Sequence, residues 1–142
     1  MRGRGARMEK QVALLRRLWS EPYITEGPDI SNIGLGRTAG TIPIWFGTET
    51  SETVLRRVAR VADGWMSIGD FLPHILRLHQ YLREAGRDPA GFPIRGTLMA
   101  GDGGPATWKE TAARYEAAGV THINIASPRG LAGILEARQA IG

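Results

Sequence analysis

Hydrophobic positions along this chain switch between two periods, and the clearest switch lies between Thr41 and Trp65. Ile42, Ile44, Trp45 and Phe46 have the β-branched and aromatic composition of a buried strand, which Gly47 closes. A polar turn follows, Thr48-Glu49-Thr50-Ser51. Val54, Leu55, Val58 and Val61 then recur at helical spacing, with Arg56, Arg57 and Arg60 between them. Asp63-Gly64 stops that helix and Trp65 opens a second strand. The result is a βαβ unit whose first turn lies at the carboxyl end of a strand and the start of a helix, where such folds place ligands.

The same alternation continues downstream. A short strand from Trp65 to Ile68 ends at Gly69-Asp70, and a helix is predicted from Leu72 to Ala85. Pro73 suits its first turn, its inner stripe is Leu72, Ile75, Leu76, His79 and Leu82, and Gly86 with Asp88-Pro89 ends it. A third strand, Pro93 to Ala100, runs into Gly101-Asp102-Gly103-Gly104-Pro105. Thr107-Trp108-Lys109-Glu110 has the form of a capping box for the next helix, with Trp108, Ala112 and Tyr115 inward. Thr121 to Ala126 is the fourth strand, Ser127-Pro128-Arg129-Gly130 its turn, and Leu131, Ile134, Leu135 and Arg138 belong to a last helix.

Upstream the pattern differs. Met8, Val12, Leu15 and Trp19 form one stripe of an amphipathic helix after a frayed lead-in, and Glu21-Pro22 ends it. Residues 23–40 are punctuated by glycine and proline without a sustained period, an irregular excursion with room for a short strand at Tyr23 to Thr25. The whole is one helix followed by four strand–helix units, with strands starting near 41, 64, 92 and 121. Regular β-α alternation predicts a parallel sheet. Four such units make half of an eight-unit TIM barrel, whose usual length is about 250 residues. A complete small open α/β sheet is the competitor, but it would rarely begin with a helix and a long loop. The expectation is a single domain over 1–142: a helix over 1–20, an excursion over 21–40 and four βα units over 41–142, the C-terminal half of a barrel. Half a barrel leaves strand edges unpaired, so association is expected as well.

Composition changes this picture little. The chain has 142 residues, 42% of them hydrophobic and 23% charged, enough for one domain with a core. No apolar run approaches the ~18 residues of a membrane span, so no membrane partner is expected. The absence of cysteine removes disulfides and thiolate metal sites and fits the cytoplasm. Charge is uneven: Arg2, Arg4, Arg7, Lys10, Arg16 and Arg17 stand against Glu9 alone in the first 17 residues, which accounts for the net +4. No nucleic-acid module accompanies that basic start, so it reads as a solvated helix face.

IPIWFG, the polar turn and SETVLRRVARVADGW together resemble the luciferase-like monooxygenase superfamily of flavin- or coenzyme F-420-dependent oxidoreductases. Many members carry a P-I-W-x-G-G strand, a helix and A-D-G-W. RGARMEKQVALLRRLW is similar to the helix upstream of that strand, REAGRDP to the end of the following helix, and GVTHINI to the final strand. The resemblance covers nearly the whole chain and implies a TIM barrel of which only the last four units are present, a fragment needing its N-terminal half or a homo-oligomeric partner. It implies FMN or coenzyme F-420 as cofactor, monooxygenase or hydride-transfer chemistry, and a small-molecule substrate. Two positions depart from the pattern: Thr48 stands where relatives have a second glycine, and Lys10 where a glutamate is common. A non-catalytic half-barrel remnant or assembly partner with weak phosphate affinity is the alternative.

Gly47, Thr48, Glu49, Thr50 and Ser51 are the leading cofactor-binding candidates. A glycine admits a ligand close to the backbone, and amides at a helix start suit phosphate. In the resembled family this loop contacts the cofactor, including the FMN phosphate. Glu49 would repel a phosphate unless turned away, and the plainer reading is that Thr50 or Ser51 caps the helix. Trp65 is either a wall of the cofactor pocket or core. Arg129 and the loops at 101–104 and 127–130 offer anion contacts but are also ordinary connections. Asp70 and Asp102 are acid/base candidates or helix caps. His74, His79 and His122 have no metal-ligand spacing, so no metal is expected.

Overall fold

The computed structural model describes residues 3–101 and 103–142. Met1 and Arg2 of the basic start, and Asp102 of the Gly-rich loop, lie outside the described residues. The chain divides into two compact units, Met1–Pro43 and Ile44–Gly142.

The first unit holds α1 (Arg4–Ser20) and an antiparallel hairpin, β1 (Ile24–Glu26) and β2 (Ile30–Ile33). The hairpin corrects the expectation of an irregular excursion. Its strands are three and four residues long, too short to show a period, and Gly27 takes a positive φ in the turn between them. Arg17 ties the helix end to the hairpin by donating to Glu21 at 3.1 Å and to Glu26. Val12 is the buried residue of α1, while Leu15, expected on the same stripe, is 41% exposed.

The second unit alternates strictly: β3 (Trp45–Thr48), α2 (Glu52–Val61), β4 (Gly64–Ser67), a 3₁₀ turn (Leu72–His74) leading into α3 (Ile75–Glu84), β5 (Ile94–Met99), α4 (Gly104–Ala117), β6 (His122–Ala126) and α5 (Gly130–Ile141). The sheet order is β3-β4-β5-β6 and every pairing is parallel. This is part of a (β/α)8 barrel: four sequential units with all strand ends on one rim.

Three local expectations change. β3 begins at Trp45 rather than near 41, because Pro43 has no amide to give a ladder and Ile42 stays 42% exposed. Leu76 is 79% exposed, and the buried stripe of α3 is Ile75, Leu78, Tyr81 and Leu82. A 3₁₀ turn advances about 120° per residue, so the turn at Leu72–His74 rotates the helix away from the phase that an unbroken helix would have. Thr107 is not an N-cap: α4 already starts at Gly104 with Pro105 in its first turn, and the Thr107 hydroxyl donates back to the Gly103 carbonyl at 3.2 Å.

The core lies between the sheet and its helices. Leu55, Val58, Trp65, Leu78, Leu82, Ile94 and Leu98 are the large side chains with essentially no exposure, and each stabilises the fold by roughly 1.5–3 kcal/mol through burial. A neighbouring cluster of Leu98, Ala100, Trp108 and Ala137 seats α4 and α5.

Candidate functional site

Strand alternation sorts the sheet into two faces. Paired residues share a face, so Gly47, Met66, Arg95 and His122 form one continuous cross-strand row. Trp45, Thr97 and Asn124 flank that row on the same side. Phe46, Trp65, Ser67, Ile94 and Leu98 occupy the opposite, helix-covered side and are all buried.

The A-D-G-W segment sets the entrance of β3. Asp63 accepts a hydrogen bond from the Ile44 amide at 2.8 Å and returns its own amide to the Ile44 carbonyl at 2.7 Å. Gly64 must be glycine, because a Cβ there would meet the Trp45 ring at 2.5 Å. Ala62 and Trp65 are fully buried. The R-E-A-G-R-D-P segment closes the next helix: Gly86 takes a positive φ, and Arg87 donates to the carbonyls of Ala59 and Ala62 at 2.8 and 2.7 Å. Its charge thus sits on the negative end of α2.

Gly47 is exposed, at the rim end of β3. Its φ is not in the left-handed region, and a Cβ there would meet only the Met66 methyl, at an ordinary 3.5 Å. Packing and backbone therefore do not require this glycine. Thr48 pairs with Ser67, on the helix-covered side, and its hydroxyl accepts a hydrogen bond from the Trp65 indole N–H at 3.0 Å. Trp65 itself is fully buried and stacks edge-on against Phe71. Glu49 is exposed and Thr50 half-buried. Ser51 is the N-cap residue of α2 by position, but its side chain makes no capping hydrogen bond. The Glu52 carboxylate is drawn to Arg56 at 3.0 Å, and Arg56 also holds Glu84 at 2.8 Å. The hydrogen bond from Arg56, followed by its charge, holds the Glu52 carboxyl below its usual pKa.

The other rim candidates have protein partners. Arg129 pairs with Glu136 of α5. Ser127 donates to the Ala100 carbonyl at 2.9 Å and accepts from the Arg129 amide at 3.1 Å, which joins the rim ends of β5 and β6. Asp70 is exposed. Tyr115, whose phenol burial pushes up in pKa, donates to the Thr97 carbonyl at 2.9 Å. His79 is half-buried on α3, and burial, then the Arg83 charge, lowers its pKa. His122 is exposed on the sheet, with Trp45 edge-on at 5.1 Å and the Thr121 hydroxyl at 2.8 Å. Among the described residues no three His, Asp or Glu side chains come together in a metal-holding group, and no helix is long and apolar enough to cross a membrane.

Sequence reasoning about sites missed the Met66-Arg95-His122 row. The signal was present in Ile-Arg-Gly-Thr-Leu-Met, where strict alternation puts Arg95, Thr97 and Met99 on one side and Ile94 and Leu98 on the other.

The chain was compared with known proteins. No curated protein matches it. Among solved structures, an F-420-dependent secondary alcohol dehydrogenase in complex with an F-420–acetone adduct superposes with a TM-score of 0.79 at 15% identity, covering 98% of this chain and 62% of that one. The coenzyme F-420-dependent tetrahydromethanopterin reductase from Methanopyrus kandleri superposes with a TM-score of 0.64 at 14% identity, covering 96% of this chain and 60% of that one. At such identities the likeness concerns the fold, and this chain spans about three-fifths of the length of either structure. The family description of luciferase-like monooxygenases matches residues 1–139, and the chain belongs to that family.

Proposed function

We propose that residues 1–142 are the C-terminal half of an oxidoreductase barrel of the cytoplasm, in which FMN or coenzyme F-420 serves a small organic substrate. Gly47 to Ser51 hold the cofactor's phosphate. The observation that carries this reading is an exposed glycine that the fold does not need, at the end of a parallel strand and just ahead of a helix N-terminus. A Cβ-free position there leaves room for a ligand group rather than for protein. The F-420-dependent enzymes among the matched structures support the cofactor class.

The bound cofactor supplies hydride or oxygen chemistry. The chain's own residues bind and position. The first amides of α2 lack intrahelical acceptors and meet the phosphate, with the Thr50 and Ser51 hydroxyls as added donors. The Trp65–Thr48 hydrogen bond fixes the stem of the loop, so these two residues position it. Arg56 draws the Glu52 carboxylate aside.

Each charge-assisted contact contributes roughly 1.5–3 kcal/mol, so losing one weakens binding by about one to two orders of magnitude. Gly47→Val removes the room and Thr50→Val removes a hydroxyl at constant shape. In a form completed with the β/α units that the matched structures have beyond this span, titration with FMN and with coenzyme F-420 should show both losses. Unchanged affinities in folded variants would reduce the loop to a helix start.

A second reading, a non-catalytic half-barrel or assembly partner, is favoured by one observation. The strand positions of the uncovered face hold no carboxylate, which leaves His122 as the acid–base side chain that these strands offer there. In both readings the chain associates, with an N-terminal half or with a second copy.

A further inference from the structure

Arg95 stands out among the cations of the second unit. It lies on β5, an inner strand, in the middle of the Gly47-Met66-Arg95-His122 row. Its Nε is buried and has no hydrogen-bond partner. By contrast, Arg56, Arg87 and Arg129 each hold a carboxylate or carbonyls. A desolvated guanidinium N–H without an acceptor is costly, and arginine is rarely buried unless paired.

Its surroundings offer no acceptor of the right charge. Met66 and His122 are its register neighbours, Thr97 follows on the same face, and no carboxylate stands on that side of the four strands. Asp63, the carboxylate nearest in sequence to this face, is clamped to the Ile44 amide. The Trp45–His122 ring contact adds an aromatic surface on the same face.

We propose that Arg95 binds an anionic group, a carboxylate or phosphate, of the small-molecule substrate. The proposal rests on the proposed oxidoreductase barrel, in which this face lines the interior. Gly47 lies two strands away, about 10 Å, so the substrate's anion and the cofactor's phosphate are separate groups. The planar fork of arginine matches either anion through two parallel hydrogen bonds.

The test uses benzoate and inorganic phosphate on the 142-residue chain and FMN on the completed form, with affinities from isothermal titration calorimetry and, wherever Arg95 is present, its Nε–Hε resonance followed by nitrogen-15 NMR. Benzoate or phosphate should shift the Arg95 Hε signal saturably. Arg95→Met should abolish that binding, and Arg95→Lys, which keeps stem and charge, should weaken it about tenfold. Gly47→Val should leave it intact, while weakening FMN in the completed form. No saturable shift, equal binding by Arg95→Met, or loss of benzoate and phosphate binding in Gly47→Val overturns the proposal. If Gly47→Val leaves FMN unaffected while the Arg95 shift persists, the phosphate-loop reading fails and the Arg95 site stands.

Discussion

The two faces of the four-stranded sheet differ as a finished surface differs from a prepared one. On the helix-covered face Trp65, Ile94 and Leu98 have almost no exposure, Ser67 donates to the Arg95 carbonyl at 2.9 Å, and the Trp65 indole N–H finds Thr48. On the other face Met99 is 50% exposed, His122 and Asn124 are exposed, and a guanidinium N–H is buried without an acceptor. The strands are shared, so backbone geometry is not the cause. The covered side has apolar side chains packed on one another; the uncovered side has polar and flexible ones, among them Arg95, whose buried Nε meets no acceptor.

The comparison breaks most sharply at adjacent residues of β4. Trp65→Ala empties a fully buried site and should cost about 3–5 kcal/mol in urea unfolding. Met66→Ala, one residue on and half-exposed, should cost about 1 kcal/mol or less. Equal losses would mean that both faces are core.

Association gives a smaller effect. β3 and β6 are the outer strands of the sheet, and apolar residues such as Met99, Leu131 and Leu135 are at least half exposed. Sedimentation at micromolar concentration should show dimers or larger species. A cooperative monomer at that concentration would make the uncovered face a solvent face and the sheet a complete one.

The smallest effect comes from His79, on the covered side. Its folded pKa lies below the ordinary 6.5, first because of burial and then because of Arg83. The unfolded chain therefore binds the proton more readily. Stability is fully present above the unfolded pKa and is lost as pH falls from there through the folded value. Urea midpoints should drop modestly between about pH 7.5 and about pH 5.5, and His79→Gln should reduce that drop.

Most of the architecture was legible in the sequence because its signals are local. Val54, Leu55, Val58 and Val61 gave α2, Gly86 with Asp88-Pro89 gave the end of α3, and regular unit lengths gave parallel order. What escaped depends on neighbours or on phase. Leu76 fits the apolar stripe of an unbroken helix, and only the 3₁₀ turn before it moves it to the surface. Thr107 has the spacing of a cap, but Gly104-Pro105 starts the helix earlier. In the candidate loop the glycine and hydroxyls were visible. That the fold does not need Gly47 required coordinates, because it depends on the distance to Met66. Arg95 was hidden by its class: an arginine in a strand reads as solvated until its Nε is seen to be buried.

Arg87 has a consequence for how the units can be exchanged. It follows α3 but seals α2, reaching back to Ala59 and Ala62 across the unit boundary. The β/α units are thus not self-contained modules with seams at each strand start. A graft cut between α2 and β4 would leave the donor helix without its seal and the recipient's Arg87 without its carbonyls. The natural exchange segment runs from Trp45 through Phe92, whose ring lies under the Arg87 guanidinium at 5.1 Å. In this part of the barrel, a graft that keeps the seal takes a pair of units.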